Sequence, residues 1–218
     1  GLAFVFSGQG PQWFAMGRQL LQESPVFRAK IEECDVLLRS YARWSLLEEL
    51  QREENASRLD QTEIAQPALF ALQVALAERW RAWGIVPETV LGHSVGEVAA
   101  AHVAGALTLA EAVRVIYHRG RLMQRATGLG KMAQVELDAE SVRAALQPYR
   151  DRLALAAMNG PHATVIAGEE TALEELLRSF EARAIAVKRL RVNYAFHSPQ
   201  MEPLRAELEN ALHGLTAH

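Results

Sequence analysis

Gly92-His93-Ser94-Val95-Gly96 follows a short apolar run, Thr89-Val90-Leu91, and opens an Ala-rich segment that reads as a helix. A Gly-x-Ser-x-Gly between a strand and a helix is a nucleophile elbow, a turn so sharp that small residues are needed beside the serine. Ser94 then stands exposed at a helix N-terminus. Ala99, Ala100, Ala101 and Gly105 give the following helix small side chains that let it pack close against a sheet. The backbone N–H of Val95 is expected to face the carbonyl that Ser94 attacks, helped by the positive end of the helix dipole. Half an oxyanion hole follows from this local geometry.

Working outward, Leu2-Ala3-Phe4-Val5-Phe6 is a continuously apolar run that stops at Ser7-Gly8-Gln9-Gly10-Pro11, the pattern of a buried parallel strand ending in a tight loop. Helical spacing is expected over about 12–22, 25–39, 66–83 and 109–126, with Pro87 breaking the chain before the elbow strand. After Gly128 and Gly130 the rhythm changes to short strands and helices. Strands are expected near 131–137, 153–158, 163–168 and 184–191, and helices near 139–149 and 171–182. Strand, helix, strand, strand, helix, strand is the ferredoxin-like split arrangement. The domain reading is therefore an α/β large subdomain over 1–130, a ferredoxin-like insert over 131–191, and a return to the large subdomain over 192–218.

The chain has 218 residues, half of them apolar, enough for one large domain with a subdomain. A net charge of −3 with interspersed signs leaves no electrostatic footprint for nucleic acid or an anionic membrane. The single cysteine, Cys34, excludes an internal disulfide and a cysteine metal cluster, and reads as a small buried hydrophobe. The longest apolar stretch, Val98 to Ala110, is interrupted by His102 and Thr108 and is too short for a membrane span. With no signal pattern at the N-terminus, the expectation is a soluble, cytoplasmic chain.

A serine hydroxyl is a weak nucleophile and needs a base. Among seven histidines, His197 follows a strand and precedes a helix, a position at the ends of parallel strands. His102, His118, His162, His213 and His218 fall on helices, turns or the terminus, and His93, inside the elbow, reads as a packing or secondary contact. An arginine near the nucleophile would match a substrate carboxylate with two parallel hydrogen bonds. Arg119 is one candidate, but Arg114, Arg121 and Arg125 have equal claims from the helix pattern.

Phe6-Ser7-Gly8-Gln9-Gly10, Gln66-Pro67-Ala68, Gly92-His93-Ser94-Val95-Gly96-Glu97, Arg119-Gly120-Arg121-Leu122-Met123, Met158-Asn159-Gly160 and Tyr194-Ala195-Phe196-His197-Ser198-Pro199 occur in one order along nearly the whole chain. In these motifs the sequence resembles the acyltransferase domains of modular type I polyketide synthases, relatives of malonyl-CoA:acyl carrier protein transacylases. The resemblance implies a hydrolase-like large subdomain with a parallel sheet and an inserted ferredoxin-like small subdomain. It makes Ser94 the nucleophile and His197 the general base of a Ser-His dyad, with the N–H groups of Gln9 and Val95 as the oxyanion hole. Arg119 then clamps the free carboxylate of the extender unit, and Gln66, Asn159, His93, Tyr194 and Phe196 line the substrate side.

The same resemblance implies ping-pong transfer from malonyl-CoA to the phosphopantetheine thiol of an acyl carrier protein, beside a ketosynthase, with no metal or bound redox cofactor. Val95 and Phe196 fit the malonyl-selecting pattern, since a Phe ring crowds an α-methyl branch, whereas Tyr194 belongs to the methylmalonyl pattern. One methyl group is worth only about 1–3 kcal/mol in a pocket. The family is expected to continue beyond the helix near Met201 with further strands, so the chain reads as a fragment lacking the C-terminal part of that fold. The alternatives are a methylmalonyl-selective enzyme, a serine thioesterase or esterase, and an inactive truncated module that docks a carrier protein.

Overall fold

A computed structural model describes residues 1–218 and divides them into two compact units, Gly1–Gln124 with Leu208–His218, and Arg125–Glu207. In the first, the two apolar runs flanking the early helices become strands β1 (Ala3–Phe6) and β2 (Thr89–Gly92). They pair in parallel with Phe6 opposite Gly92. Parallel neighbours need a long crossover, and helices α1 (Arg18–Glu23), α2 (Pro25–Leu38), α3 (Leu46–Gln51) and α4 (Thr62–Ala82) supply it. Helix α5 (Gly96–Val103) leaves β2, and α6 (Leu109–Gln124) follows.

Local chemistry explains these boundaries. The Ser24 hydroxyl accepts from the Phe27 N–H and Pro25 takes the first turn of α2, where its missing donor costs nothing. Phe27, Ile31, Cys34 and Leu38 then recur every three or four residues and are buried. Each large one contributes about 1.5–3 kcal/mol by leaving water. They join Ile64, Phe70 and Val74 of α4 and Val113 and Ile116 of α6 in one core.

Three details differ from the sequence expectation in this unit. Residues 12–17 are not helical, because Ala15 and Gly17 take φ of +66° and +79°, and α1 starts only at Arg18. Helix α4 begins four residues before Gln66, so Pro67 lies inside it. A proline this near the start removes a single backbone bond, and the helix tolerates it. Helix α3, absent from the expectation, is held at its start by Ser45 and by the buried carboxylate of Asp35, which accepts from the Leu46 N–H at 2.6 Å.

The second unit contains β3 (Lys131–Val135), α7 (Ala139–Leu146), β4 (Leu153–Gly160), β5 (Ala163–Gly168), α8 (Glu170–Glu181) and β6 (Val187–Arg189). Its sheet runs β4-β5-β3-β6 with every neighbour antiparallel, the ferredoxin-like order. Leu173, Leu176, Leu177 and Phe180 form the buried face of α8 and pack with Val135, Val142, Leu153 and Ile166. The outer strand β6 is shorter than the expected 184–191.

The units meet the chain differently from the expected boundary at 191/192. Residues 192–207 group with the second unit, where the Gly128 N–H bonds the Asn193 carbonyl and the Gln200 side chain donates to Leu129 O at 2.6 Å. The return to the first unit falls within α9 (Arg205–Ala211), where the carbonyls of Ala211 and of His213 just beyond the helix accept from Arg114 of α6. No helix is long and apolar enough to cross a membrane.

Candidate active site

The elbow is built by exclusion of side chains. Ser94 takes φ +52°, a left-handed conformation that costs a residue with a Cβ about 1–2 kcal/mol. A Cβ on Gly92 would lie 2.3 Å from the backbone of Glu97, and one on Gly96 would lie 2.2 Å from the Phe6 carbonyl oxygen. Only glycine lets strand end and helix start approach so closely. The His93 N–H donates to Phe6 O at 2.9 Å, tying the turn to β1. Gly96, Glu97 and Val98 donate to the carbonyls of His93, Ser94 and Val95, and none of these bonds uses the Val95 N–H. That donor stands at the first turn of α5, where helix N–H groups lack partners within the helix.

Arg119 projects from α6 to the serine, its Nη2 donating to Ser94 Oγ at 3.3 Å. Burial lowers its pKa to about 10, against the opposing pull of Glu97. Its Nη1 is buried without a hydrogen-bond partner. The structure thus separates three of the four arginines that helix pattern leaves equivalent. Arg114 is committed to the carbonyls of Ala211 and His213, and Arg125 pairs with Glu207. Arg119 is the one set beside Ser94, with an unfilled donor suited to an anion.

Gln66 is fully buried, and its Nε2 donates to Gln9 Oε1 at 3.0 Å and contacts Met123 Sδ at 3.6 Å. Gln9 Nε2 in turn donates to Thr62 Oγ1 at 3.1 Å. Gln66 therefore grips Gln9, and its own Oε1 is buried without a partner. His93 is exposed. Thr62 is a site residue that sequence reasoning missed, because nothing in its neighbourhood marks a helix-start threonine as different from an ordinary cap.

In the second unit Tyr194 and Phe196 stack face to face, ring centroids 3.8 Å apart and 11° from parallel. Residues two apart in an extended segment point to one side, which brings the rings together. Phe196 is buried at 5% exposure, and the burial of Tyr194 raises its phenol pKa. His197 follows, exposed and at φ +61°. Ser198 fixes the turn: its hydroxyl donates to Ala195 O at 2.6 Å and accepts from the Gln200 N–H, starting a 3-10 turn over Pro199–Leu204. Asn159 is exposed on β4, in the irregularity between Met158 and Gly160.

A serine on a strained strand-to-helix turn, next to a half-buried cation, places the first unit among α/β proteins of the hydrolase-like elbow class. The acyl transferase domain family matches residues 3–218. Over 207 residues, 95% of this chain, the sequence is 46% identical to erythronolide synthase EryA2 of Saccharopolyspora erythraea, of which it covers 6%. The acyltransferase domain from module 8 of the salinomycin polyketide synthase superposes with a TM-score of 0.94 at 44% identity, covering 99% of this chain and 51% of that one. The MCAT of Streptococcus pneumoniae gives a TM-score of 0.88 at 32% identity, covering 99% and 71%. The chain belongs to the acyl transferase domain family, as an acyltransferase domain of the modular polyketide synthase type. It spans a small fraction of the length of the synthases it matches.

Proposed function

We propose that this domain loads a malonyl extender unit from CoA onto the phosphopantetheine thiol of an acyl carrier protein, through an acyl ester on Ser94. The observation that carries the reading is the Arg119 guanidinium, its Nη2 3.3 Å from Ser94 Oγ and its Nη1 buried and unpartnered. A cation desolvated beside a nucleophile serves a substrate with a carboxylate at its far end, and a neutral ester leaves it unpaired. That is the reason to favour acyl transfer of a dicarboxylic unit over esterase chemistry.

In this reading His197 takes the Ser94 hydroxyl proton as Oγ adds to the thioester carbonyl. The N–H groups of Gln9 and Val95 hold the oxyanion, and His197 returns the proton to the departing CoA sulfur. The carrier thiol then repeats the cycle in reverse and leaves Ser94 free to react again. The motif order of the family supports His197, and its left-handed backbone, matched by that of Ser94, marks both positions as strained. Phe196, locked by its stack on Tyr194, supports malonyl over methylmalonyl, because a fixed ring has no room to yield to a methyl branch. CoA enters only as substrate. The partners are the carrier protein and, by the company such domains keep, a neighbouring ketosynthase.

The test is intact-mass measurement after mixing with malonyl-CoA. One malonyl group is expected on Ser94 by peptide mapping and none in Ser94→Ala. His197→Ala should load roughly 100- to 10,000-fold more slowly while remaining folded. An adduct on another residue, or hydrolysis with no adduct at any time, overturns the reading.

A further inference from the structure

The loop Ser7-Gly8-Gln9-Gly10 leaves β1 and carries one of the two N–H groups assigned above to the oxyanion. Glycines flank Gln9 on both sides, and Gly10 sits at φ +132°, so the loop backbone does not by itself fix where that N–H points. It runs close to the elbow: a Cβ on Gly8 would lie 2.7 Å from His93 Nδ1.

What holds it is one stripe of α4. The Gln9 amide is engaged at both ends, Nε2 donating to Thr62 Oγ1 at 3.1 Å and Oε1 accepting from Gln66 Nε2 at 3.0 Å. Two residues earlier in the loop, Gln73 Nε2 donates to Ser7 O at 2.8 Å and contacts Ser7 Oγ at 3.1 Å. At roughly 100° per residue, positions 62, 66 and 73 lie within about 40° of one another around the helix. These three side chains are polar on a helix whose buried side chains, Leu69 on the same side among them, are apolar apart from Thr62 and Gln66. Thr62 is itself buried, and its hydroxyl is spent on a residue 53 positions away in the sequence.

We infer that Thr62 and Gln73 are positioning residues, which clamp Gln9 and Ser7 to α4 and so aim the Gln9 N–H at the oxyanion formed on Ser94 acylation. The inference rests on the reading of Ser94 and Gln9 above. Neither side chain is proposed to touch the substrate. They replace the conformational freedom of a glycine-flanked loop with a fixed donor, which is the preorganisation an oxyanion hole requires.

The experiment measures single-turnover acylation of the full chain by malonyl-CoA in Thr62→Val, Thr62→Ser and Gln73→Leu, with Ser94→Ala alongside. Misplacing a catalytic group by a fraction of an ångström to an ångström costs up to about 100-fold. Thr62→Val should lose roughly 10- to 100-fold in saturating rate, with the half-saturating malonyl-CoA concentration within about twofold of wild type. Thr62→Ser, which keeps the hydroxyl, should recover most of the rate, and Gln73→Leu should lose less than Thr62→Val. Full-rate, Ser94-dependent acylation in both Thr62→Val and Gln73→Leu overturns the inference alone. So does an equal loss in Thr62→Ser and Thr62→Val, since the hydroxyl then plays no part. Acylation persisting in Ser94→Ala overturns the underlying reading instead. If Thr62→Val does not fold, Gln73→Leu decides, because Gln73 is partly exposed and lies outside the core.

Discussion

In the first unit Ser94 sits at φ +52°, in the second His197 sits at φ +61°, and the two are held there by different means. The serine is fixed by absent side chains: glycines at 92 and 96 occupy places where a Cβ would meet backbone at 2.2–2.3 Å. The histidine has no glycine next to it in the sequence, although Gly130 packs against its turn, where a Cβ would lie 2.5 Å from Gln200 Oε1 and 2.7 Å from Ala195 Cβ. Its turn is held by added bonds, Ser198 to Ala195 O and Gln200 N–H to Ser198, with a stacked aromatic pair just before it. Steric exclusion admits almost no alternative, whereas a hydrogen-bonded turn can relax when one bond is removed. The elbow should therefore fail abruptly on substitution and the histidine turn gradually.

The sharpest way to break this comparison is to add one carbon to each unit. Gly96→Ala drives its Cβ into the Phe6 carbonyl, and neither β1 nor α5 can retreat without opening the core. A loss of about 3 kcal/mol or more is expected, at the upper end of overpacking costs, together with loss of malonyl loading. Gly160→Ala in the second unit meets only the Ala163 Cβ at 3.6 Å and should change stability by about 0.5 kcal/mol or less. Denaturant midpoints of the two variants check this. Similar, small shifts for both would show that the elbow is not held by exclusion.

A smaller effect is expected from the histidine side. Ser198→Ala removes the bond to Ala195 O and the cap on the following turn, and leaves the carbonyl of a fully buried residue without that partner. The cost should be about 1–2 kcal/mol. Loading should slow about tenfold, because His197 is then aimed less well. Rapid-quench loading and thermal unfolding separate the two consequences. An unchanged rate in a destabilised variant would mean that the turn supports the fold and not the histidine.

The same contrast explains what could be read without coordinates. Gly92 and Gly96 are a local signal, so the elbow and the strand before it are visible in five residues. The ferredoxin-like order is visible because Gly128 and Gly130 mark a change of rhythm, and the hydrophobic spacing of α8 is strong. What resists reading depends on distant partners. Residues 12–17 carry helix-forming spacing, yet Ala15 and Gly17 turn left-handed. Pro67 has the look of a helix start, while the true start at Thr62 has no side-chain cap to announce it. Arg119 stands apart from Arg114 and Arg125 because those two reach Ala211, His213 and Glu207, contacts about 80 to 100 residues away, while Arg119 reaches Ser94. Residues 192–207 look like a return to the first unit, and bonds to Arg125, Gly128 and Leu129 attach them to the second.

The smallest expected effect concerns what the first unit sacrifices for its site. Burial lowers the Arg119 pKa below its usual value, so the unfolded chain holds that proton more tightly than the folded one. The sign follows from linkage: the charged guanidinium opposes folding at neutral pH, and stability is regained only as pH rises past about 10. A bound carboxylate would offset the cost. Arg119→Met keeps much of the length of the side chain and removes the charge, so without acyl-CoA it should gain about 1 kcal/mol of stability while losing malonyl loading. Added malonyl-CoA should raise the unfolding temperature of the wild type more than that of the variant, since only the wild type has a cation to pair. A variant less stable than wild type by 1 kcal/mol or more would assign Arg119 to the architecture, and the exposed, hydrogen-bonded turn of His197 would then be the only part of the pair shaped by function.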